Sequence, residues 1–510
     1  MSEEISELVL EALGDEVSDP PKTQRIFTNR DLDFESIEAI GFDMDYTLAV
    51  YKQTAMEQLS LDATVAKLLA QGYPTELSSL RVDLEFAMRG LIVDKQQGNL
   101  LKLDRHGYVG RAFHGHRRMS GSERTAMYSA QRIGQDPERF AWVDTLFALP
   151  EITVFAKLVD MIDGSPEKFL DHEVPSYERA WNDVRAAIDL AHQDDSIKRE
   201  IKLRPGEYLE DDPELAIMLH KLRSSGKKLF LLTNSYYPYS NVLMSHLLDR
   251  QLPEYESWQS FFDYVVVGSK KPSFFDDGEQ FLEIDLESGE LSGEAVDVPL
   301  RGKVYQGGAR EGLQEALGMP GDSVLYVGDH IYGDIVKSKK SSSWRTALVL
   351  SDLEHDLAVR DRYRSALEEI ESLTRLRNQL AEQSGDQRNL LRQIDKLSPS
   401  EIDEVVGEGV LTKQECKALL EKGVQAARRR HERLKRHHER VYERLKELRM
   451  EVGKAFNPYW GSVFSERYDT SLFGAQVEIY ACIYTSRVSN FRYVSPVRKF
   501  HAPHGSLPHW

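Results

Sequence analysis

Cysteine is scarce: Cys416 and Cys482 are the only two in 510 residues. Two thiols give neither a disulfide framework nor a cysteine metal cluster, and a reducing cytoplasm is the expected compartment. Long apolar runs are also missing. No stretch approaches the ~20 consecutive apolar residues of a bilayer span. The start, MSEEISELVL, is acidic where a secretory signal would be basic and then apolar, so no membrane partner is expected. Positive charge is in deficit: 65 Lys and Arg against 83 Asp and Glu give a net −18. That argues against a polynucleotide partner but leaves room for a small phosphate wherever cations converge locally. A Walker-type glycine-rich lysine loop is absent, which argues against an ATP-driven kinase.

What is present is enough apolar material, 41% of residues, for real cores. The length calls for two or more domains. Residues 1–24 are polar, contain Asp19-Pro20-Pro21 and read as an arm. Short apolar, β-branched runs follow: Ile37 to Phe42 ending in Asp43, Lys228 to Leu232 ending in Thr233, and Tyr264 to Val267 ending in Gly268-Ser269. Val324 to Val327 ends in Gly328-Asp329, and Thr346 to Leu350 is the last. Helical segments lie between them, so the expected fold class is α/β with a Rossmann-like parallel sheet. Ligands of such sheets sit beyond the carboxyl ends of the strands, where Asp, Thr, Ser and Asp stand here. About 180 residues separate the first two runs, although a crossover needs only about a dozen. The surplus implies an inserted cap, residues 51–212, with the core at 25–50 and 213–354. Residues 355–455 carry Leu434, Val441 and Leu448 at heptad spacing and read as a helical hairpin with coiled-coil character, interrupted at Ser384-Gly385-Asp386 and Leu397-Ser398-Pro399. Its run Arg428-Arg429-Arg430 reads as a solvated helix face. Residues 456–510 are expected to pack on the core.

The segment Phe42-Asp43-Met44-Asp45-Tyr46-Thr47 places two carboxylates two residues apart just after a strand. One can attack phosphorus while the other moves protons, and an acyl-phosphate divides one hard step into two easier ones. Two anions beside a phosphate require a cation, and Mg²⁺ suits oxygen ligands. Short acidic loops are common, so this pattern alone is weak. Its companions give it weight. Thr233, Asn234 and Ser235 offer donors to phosphate oxygens, Lys271 offers a fixed positive charge, and Asp329, with Asp334 five residues on, can complete a metal site.

In these motifs the chain resembles the haloacid dehalogenase superfamily of phosphatases. Asp43, Thr233, Lys271 and Asp329 with Asp334 match its four motifs. The resemblance makes Asp43 the nucleophile, Asp45 the acid–base group, and Asp43, Asp45 and Asp329 the metal holders, with Asp334 supporting. Longer strings resemble the cytosolic purine 5′-nucleotidases of the IMP–GMP-preferring type. They are Ile40 to Ala49; Asp144 to Glu151; Asp183-Val184-Arg185 with Ala187, Asp189 and His192; Tyr305 to Gly308; Leu325 to Ile335; and Gly461 to Phe464. This implies removal of the 5′-phosphate from purine mononucleotides, with transfer to another nucleoside in some members, and a homo-oligomer. Phe147 matches the position that stacks the purine, and Lys198 a further nucleotide contact.

The residues themselves agree in part. Ser176 can cap a helix running to about His192. Arg185, Asp189 and His192 then share one face, and become base-reading candidates in the light of the resemblance. Two positions depart from the pattern. Asp144 stands where the family's effector site has a neutral amide, so the resemblance does not carry over activation by a polyphosphate and leaves it open, and Gln193 replaces an aromatic. A phosphatase for another small phosphate and a catalytically silent scaffold using the helical hairpin are the competing readings.

Overall fold

In a computed structural model, which describes residues 20–129, 133, 136–169, 173–276, 278–331, 342–396, 412–467 and 469–502, one large sheet organises the catalytic end of the chain. Its nine strands lie in the order Phe27–Thr28, Ile483–Thr485, Arg345–Val349, Val324–Gly328, Ala39–Phe42, Lys228–Leu232, Tyr264–Val267, Val304–Gly307 and Phe281–Glu283. The inner strands pair in parallel, and only the two edge strands run antiparallel to their neighbours. Ala39–Phe42, Tyr264–Val267 and Val324–Gly328 are buried along their whole length. That is why they read as unbroken apolar runs: a parallel sheet is covered on both faces. The five expected strands all form, with ends displaced by up to two residues.

Register fixes the site. Phe42 pairs with Val327 on one side and Leu231 on the other. Asp43, Asp329 and Thr233 therefore leave the same edge of the sheet from three adjacent strands. Gly41 lets the neighbouring strand come close, since a Cβ there would lie 2.1 Å from the Phe230 ring.

Between Ala39–Phe42 and its neighbour Lys228–Leu232 the chain builds a five-stranded antiparallel sheet from residues 91–143. Helices Gln53–Ala70, Leu149–Gly164, Tyr177–Gln193 and Ser196–Leu203 accompany it. The two chain crossings are joined to each other: Lys52 N donates to Tyr208 O at 2.7 Å and Glu210 N to Val50 O at 2.9 Å, with Tyr51 bridging Leu209. The segment after Asn457 returns to the main sheet through Ile483–Thr485, which lies parallel to Arg345–Val349.

The chain divides into two compact units, residues 1–357 with 462–510, and residues 358–461. In the second, helices Arg364–Asp395 and Lys413–Phe456 pack together, with Arg444 Nε 2.9 Å from Glu369 Oε1 and Arg449 donating to Thr374 Oγ1 at 2.8 Å. The expected interruption at Ser384-Gly385-Asp386 does not occur: the first helix runs through it. One interior glycine costs about 1 kcal/mol relative to alanine, which the packed neighbour helix can offset. Leu397-Ser398-Pro399 lie outside the described residues. Arg428, Arg429 and Arg430 are exposed. No described helix is long and apolar enough to cross a membrane.

Candidate active site

A cavity of about 450 Å³ opens at the carboxyl edge of the main sheet. Its floor carries Asp43, Asp45, Asn234, Ser235, Lys271 and Asp329; helix residues Glu151, Arg185, Asp189, His192 and Lys198, with Phe147, line the other side. Nearly every residue singled out in the sequence therefore meets in one place. Thr233 is fully buried and does not line the cavity. Asp334 lies outside the described residues.

Asp43 is buried at the end of its strand, and Lys271 Nζ stands 2.7 Å from its Oδ1. Tyr326 Oη accepts from the same ammonium at 2.8 Å and donates to Leu232 O at 3.1 Å. The cation is thus aimed by the neighbouring strands. Asn234, expected to touch substrate, uses its side chain otherwise. Its Oδ1 accepts from Lys271 N at 2.5 Å and from Ser269 Oγ at 3.0 Å, while its Nδ2 donates to Lys271 O at 2.9 Å. The amide thus clamps the loop that carries the Lys271 cation.

Asp45 follows Asp43 at the start of a tight turn, in which Tyr46 has φ 55° and Tyr46 N bonds Ala49 O at 2.9 Å. A left-handed backbone at a bulky residue is strained, and the buried ring contacts of Tyr46 with Tyr51 and Phe147, at 4.9 and 4.7 Å, hold it there. Both carboxylate oxygens of Asp45 are engaged: Ser235 Oγ donates to Oδ2 at 2.8 Å and Tyr51 Oη to Oδ1.

At the helical wall Ser176 caps Tyr177–Gln193, accepting from Arg179 N at 3.2 Å. Arg185 donates to Asp189 Oδ1 at 2.7 Å and to Glu151 Oε1 at 2.5 Å. Glu151 is buried on a largely apolar helix, and burial pushes its carboxyl up to about 7 against the pull of Arg185. Burial, aided by Lys198, pushes His192 down to about 4, so its imidazole is neutral at neutral pH. Phe147 sits edge-on to His192 at 6.1 Å, and Lys198 Nζ lies 5.4 Å from the Tyr239 ring centroid. Asp144 Oδ2 lies 3.0 Å from Nε2 of His330, the residue after Asp329.

The sequence reading missed Tyr51, Tyr239, Glu151 and His330 as site residues. Glu151 left a trace, a carboxylate in the first turn of an apolar helix; the two tyrosines left none.

The family model of the 5′ nucleotidase family matches residues 26–510. The chain belongs to this family. The name describes a phosphoric monoester hydrolase that acts on nucleotide 5′-phosphates, in keeping with carboxylates and a lysine at the strand ends. Among curated proteins, a 5′-nucleotidase domain-containing protein of Dictyostelium discoideum is 29% identical, over 92% of this chain and 71% of its own. The 5′-nucleotidase domain-containing protein 2 of Rattus norvegicus is 28% identical over 70% of this chain, and that of Homo sapiens 28% over 66%. The matched region spans 64% of the length of each of these two nucleotidase-domain proteins.

Proposed function

We propose that this chain hydrolyses the 5′-phosphate of purine mononucleotides, IMP and GMP in preference to AMP, through an aspartyl-phosphate on Asp43. The observation that carries the reading is the Asp43–Lys271 pair at 2.7 Å, set beside an Asp45 held by two hydroxyls in the same cavity. In the first step an Asp43 oxygen attacks phosphorus, the P–O5′ bond breaks, and Asp45, protonated at the start of the cycle, gives its proton to O5′ and becomes the carboxylate that accepts from Ser235 and Tyr51. In the second, water attacks the phosphorus of phospho-Asp43, Asp45 takes a water proton, and phosphate leaves. A nucleoside hydroxyl in place of that water would give phosphotransfer. Lys271 stabilises the charge on the transferring group, while the Ser235 hydroxyl holds Asp45 and the buried Thr233 supports the strand end behind them.

The donor set suits Mg²⁺. Asp43 and Asp329 are buried carboxylates from adjacent strands, and Mg²⁺ is usually held by one or two carboxylates together with substrate phosphate. Among the described residues no group of three or more His, Cys, Asp and Glu side chains converges as a metal site, so substrate phosphate and water would have to complete the shell. Asp43, Asp45 and Asp329 would hold the ion, with Asp334 supporting. Asp45 would contribute least through its carboxylate, whose oxygens are already engaged. A bound Mg²⁺ supplies charge neutralisation at the phosphate.

The helical wall, part of the 51–212 insert, acts in this reading as a cap over the base. A 6-oxopurine presents an acceptor at O6 and a donor at N1. Arg185 only donates and ionised Asp189 only accepts, so side by side they match that edge, with Phe147 and the neutral His192 against the ring and Lys198 nearby. AMP presents the opposite pattern. We further propose a cytoplasmic homo-oligomer in which the helical hairpin contributes to assembly.

A phosphate-release screen over mononucleotides and sugar phosphates, with and without Mg²⁺, tests the reading, with Asp43→Asn as control. Turnover of purine mononucleotides that needs Mg²⁺ and vanishes in Asp43→Asn is expected. Turnover by purified Asp43→Asn, or in excess chelator, would overturn it.

A further inference from the structure

We propose that Tyr51 is a positioning residue for the acid–base carboxylate, and that it ties Asp45 to the joint on which the 51–212 insert is mounted. The inference rests on the phosphohydrolase reading above and adds to it a group that acts only through Asp45. Three observations place it. First, the Tyr51 hydroxyl is deep in the protein and donates to Asp45 Oδ1, while Tyr239 Oη lies 2.9 Å from it on the other side. Second, Ser235 Oγ holds the opposite carboxylate oxygen at 2.8 Å. One hydroxyl leaves a carboxylate free to rotate about its bond to the chain; two on opposite oxygens fix its plane. Third, Tyr51 belongs to the joint itself. It bridges Leu209, and the main-chain bonds Lys52 N to Tyr208 O and Glu210 N to Val50 O flank that bridge. Both strands of the joint therefore move with the Tyr51 backbone, while its hydroxyl is fastened to Asp45.

The ring is packed as well as bonded, with its centroid 4.9 Å from Tyr46 and 6.0 Å from Phe147. Tyr51 thus touches the strained turn after Asp45 and the ring expected to meet the base. A purine that settled against Phe147 would press on the group that orients the proton donor for its own leaving oxygen. Removing the hydroxyl alone, by Tyr51→Phe, keeps this packing and leaves Asp45 with one support.

The chemistry separates positioning from general damage. Departure of a nucleoside 5′-oxygen needs a proton from Asp45, whereas p-nitrophenolate leaves without one. Positioned proton transfer is worth about 10²–10⁴-fold, and a misaligned donor should forfeit about tenfold of it. The test is rapid-quench measurement of the first turnover, and of steady state, on a purine mononucleotide and on p-nitrophenyl phosphate, comparing wild type and Tyr51→Phe. First-turnover nucleoside release should fall about tenfold with KM nearly unchanged. The p-nitrophenolate burst should keep its rate, and steady-state turnover of both substrates should fall, because dephosphorylation also uses Asp45 as base. Equal slowing of both first turnovers, or no change in either, would overturn the proposal while leaving the Asp43 mechanism standing. If wild type itself fails to hydrolyse phosphate, the underlying reading fails instead. Should Tyr51→Phe not fold, Tyr239→Phe, which removes only the hydroxyl behind Tyr51, should slow first-turnover nucleoside release to a smaller degree while sparing the p-nitrophenolate burst; equal slowing of both, or no change in either, would overturn the proposal.

Discussion

Glu57 is a buried carboxylate with half its hydrogen bonding unmet, and replacing it by glutamine should stabilise the protein in a pH-dependent way. It lies on the helix Gln53–Ala70, 2% exposed. Gln53 Nε2 donates to its Oε1 at 2.7 Å, and its Oε2 has no partner among the described residues. Burial pushes its carboxyl from 4.5 up to about 7, Gln53 pulling it down and Asp352 pushing it further up. Between those two values the folded chain holds a proton that the unfolded chain has released. Stability must then fall as pH rises across that window. At ~1.4 kcal/mol per pH unit the full cost is about 3 kcal/mol, reached at and above pH 7. Glutamine is never charged and escapes this cost. Its amide meets the same empty side as the hydroxyl of the protonated acid, so that penalty largely cancels below pH 4.5. Thermal unfolding of wild type and Glu57→Gln at pH 5 and pH 8 is the assay. The variant should melt at nearly the wild-type temperature at pH 5 and clearly above it at pH 8. An equal difference at both pH values, or a lower midpoint for the variant at pH 8, would refute the argument.

Two further outcomes follow from the proposed function. Arg185→Ala should narrow the IMP-to-AMP ratio in kcat/KM more than it affects p-nitrophenyl phosphate, which has no purine; an equal loss on all three would assign Arg185 to structure or phosphate binding. Light scattering at assay concentration should give a multiple of the 58.4 kDa chain mass, and a mass of one chain would end the oligomer proposal without touching the chemistry.

How much of this was legible in the sequence depends on the range of the interaction. Asp43, Thr233, Lys271 and Asp329 stand at or just beyond the ends of unbroken apolar strands, and the parallel sheet turns each such end toward the same edge. Local pattern was enough to find them. Arg185, Asp189 and His192 needed only helical spacing to share a face, though their purpose came from resemblance. The antiparallel sheet of residues 91–143 was not foreseen. Its strands Arg117–Arg118 and Phe140–Val143 are short, and their exposed positions break any clean alternation. Nor was Ile483–Thr485, three residues whose place beside Arg345–Val349 is fixed by pairing alone. The Tyr51–Tyr239 contact joins residues 188 positions apart, and nothing in either neighbourhood announces it. Asn234 shows the converse: its type and place were right for a phosphate donor, but its amide is spent on the lysine loop.

The two ends of the cavity differ in a way that suits a nucleotide. At the sheet edge the groups are fixed. Lys271 is held by Tyr326 and by the Asn234 clamp on its main chain, Asp43 by Lys271, and Asp45 by two hydroxyls. Such a site can meet one geometry, that of a transferring phosphoryl group, with little reorganisation. At the helical wall Arg185 and Asp189 are about half exposed and bound to each other, so under the proposed function a base would share or displace that pair. Exposed i, i+4 pairs are weak, about 0.3–0.5 kcal/mol, and the obstacle is small. Glu151 is the anchor that remains. Buried behind Arg185, it would, on the proposed reading, keep the guanidinium at the wall when Asp189 turned to a purine N1. An arginine without that anchor would follow its exposed partner into solvent, and the donor for O6 would be lost with it. The buried carboxylate is costly to ionise, since burial pushes it up to about 7, and under the proposed function that cost would serve to hold a cation where the base is read.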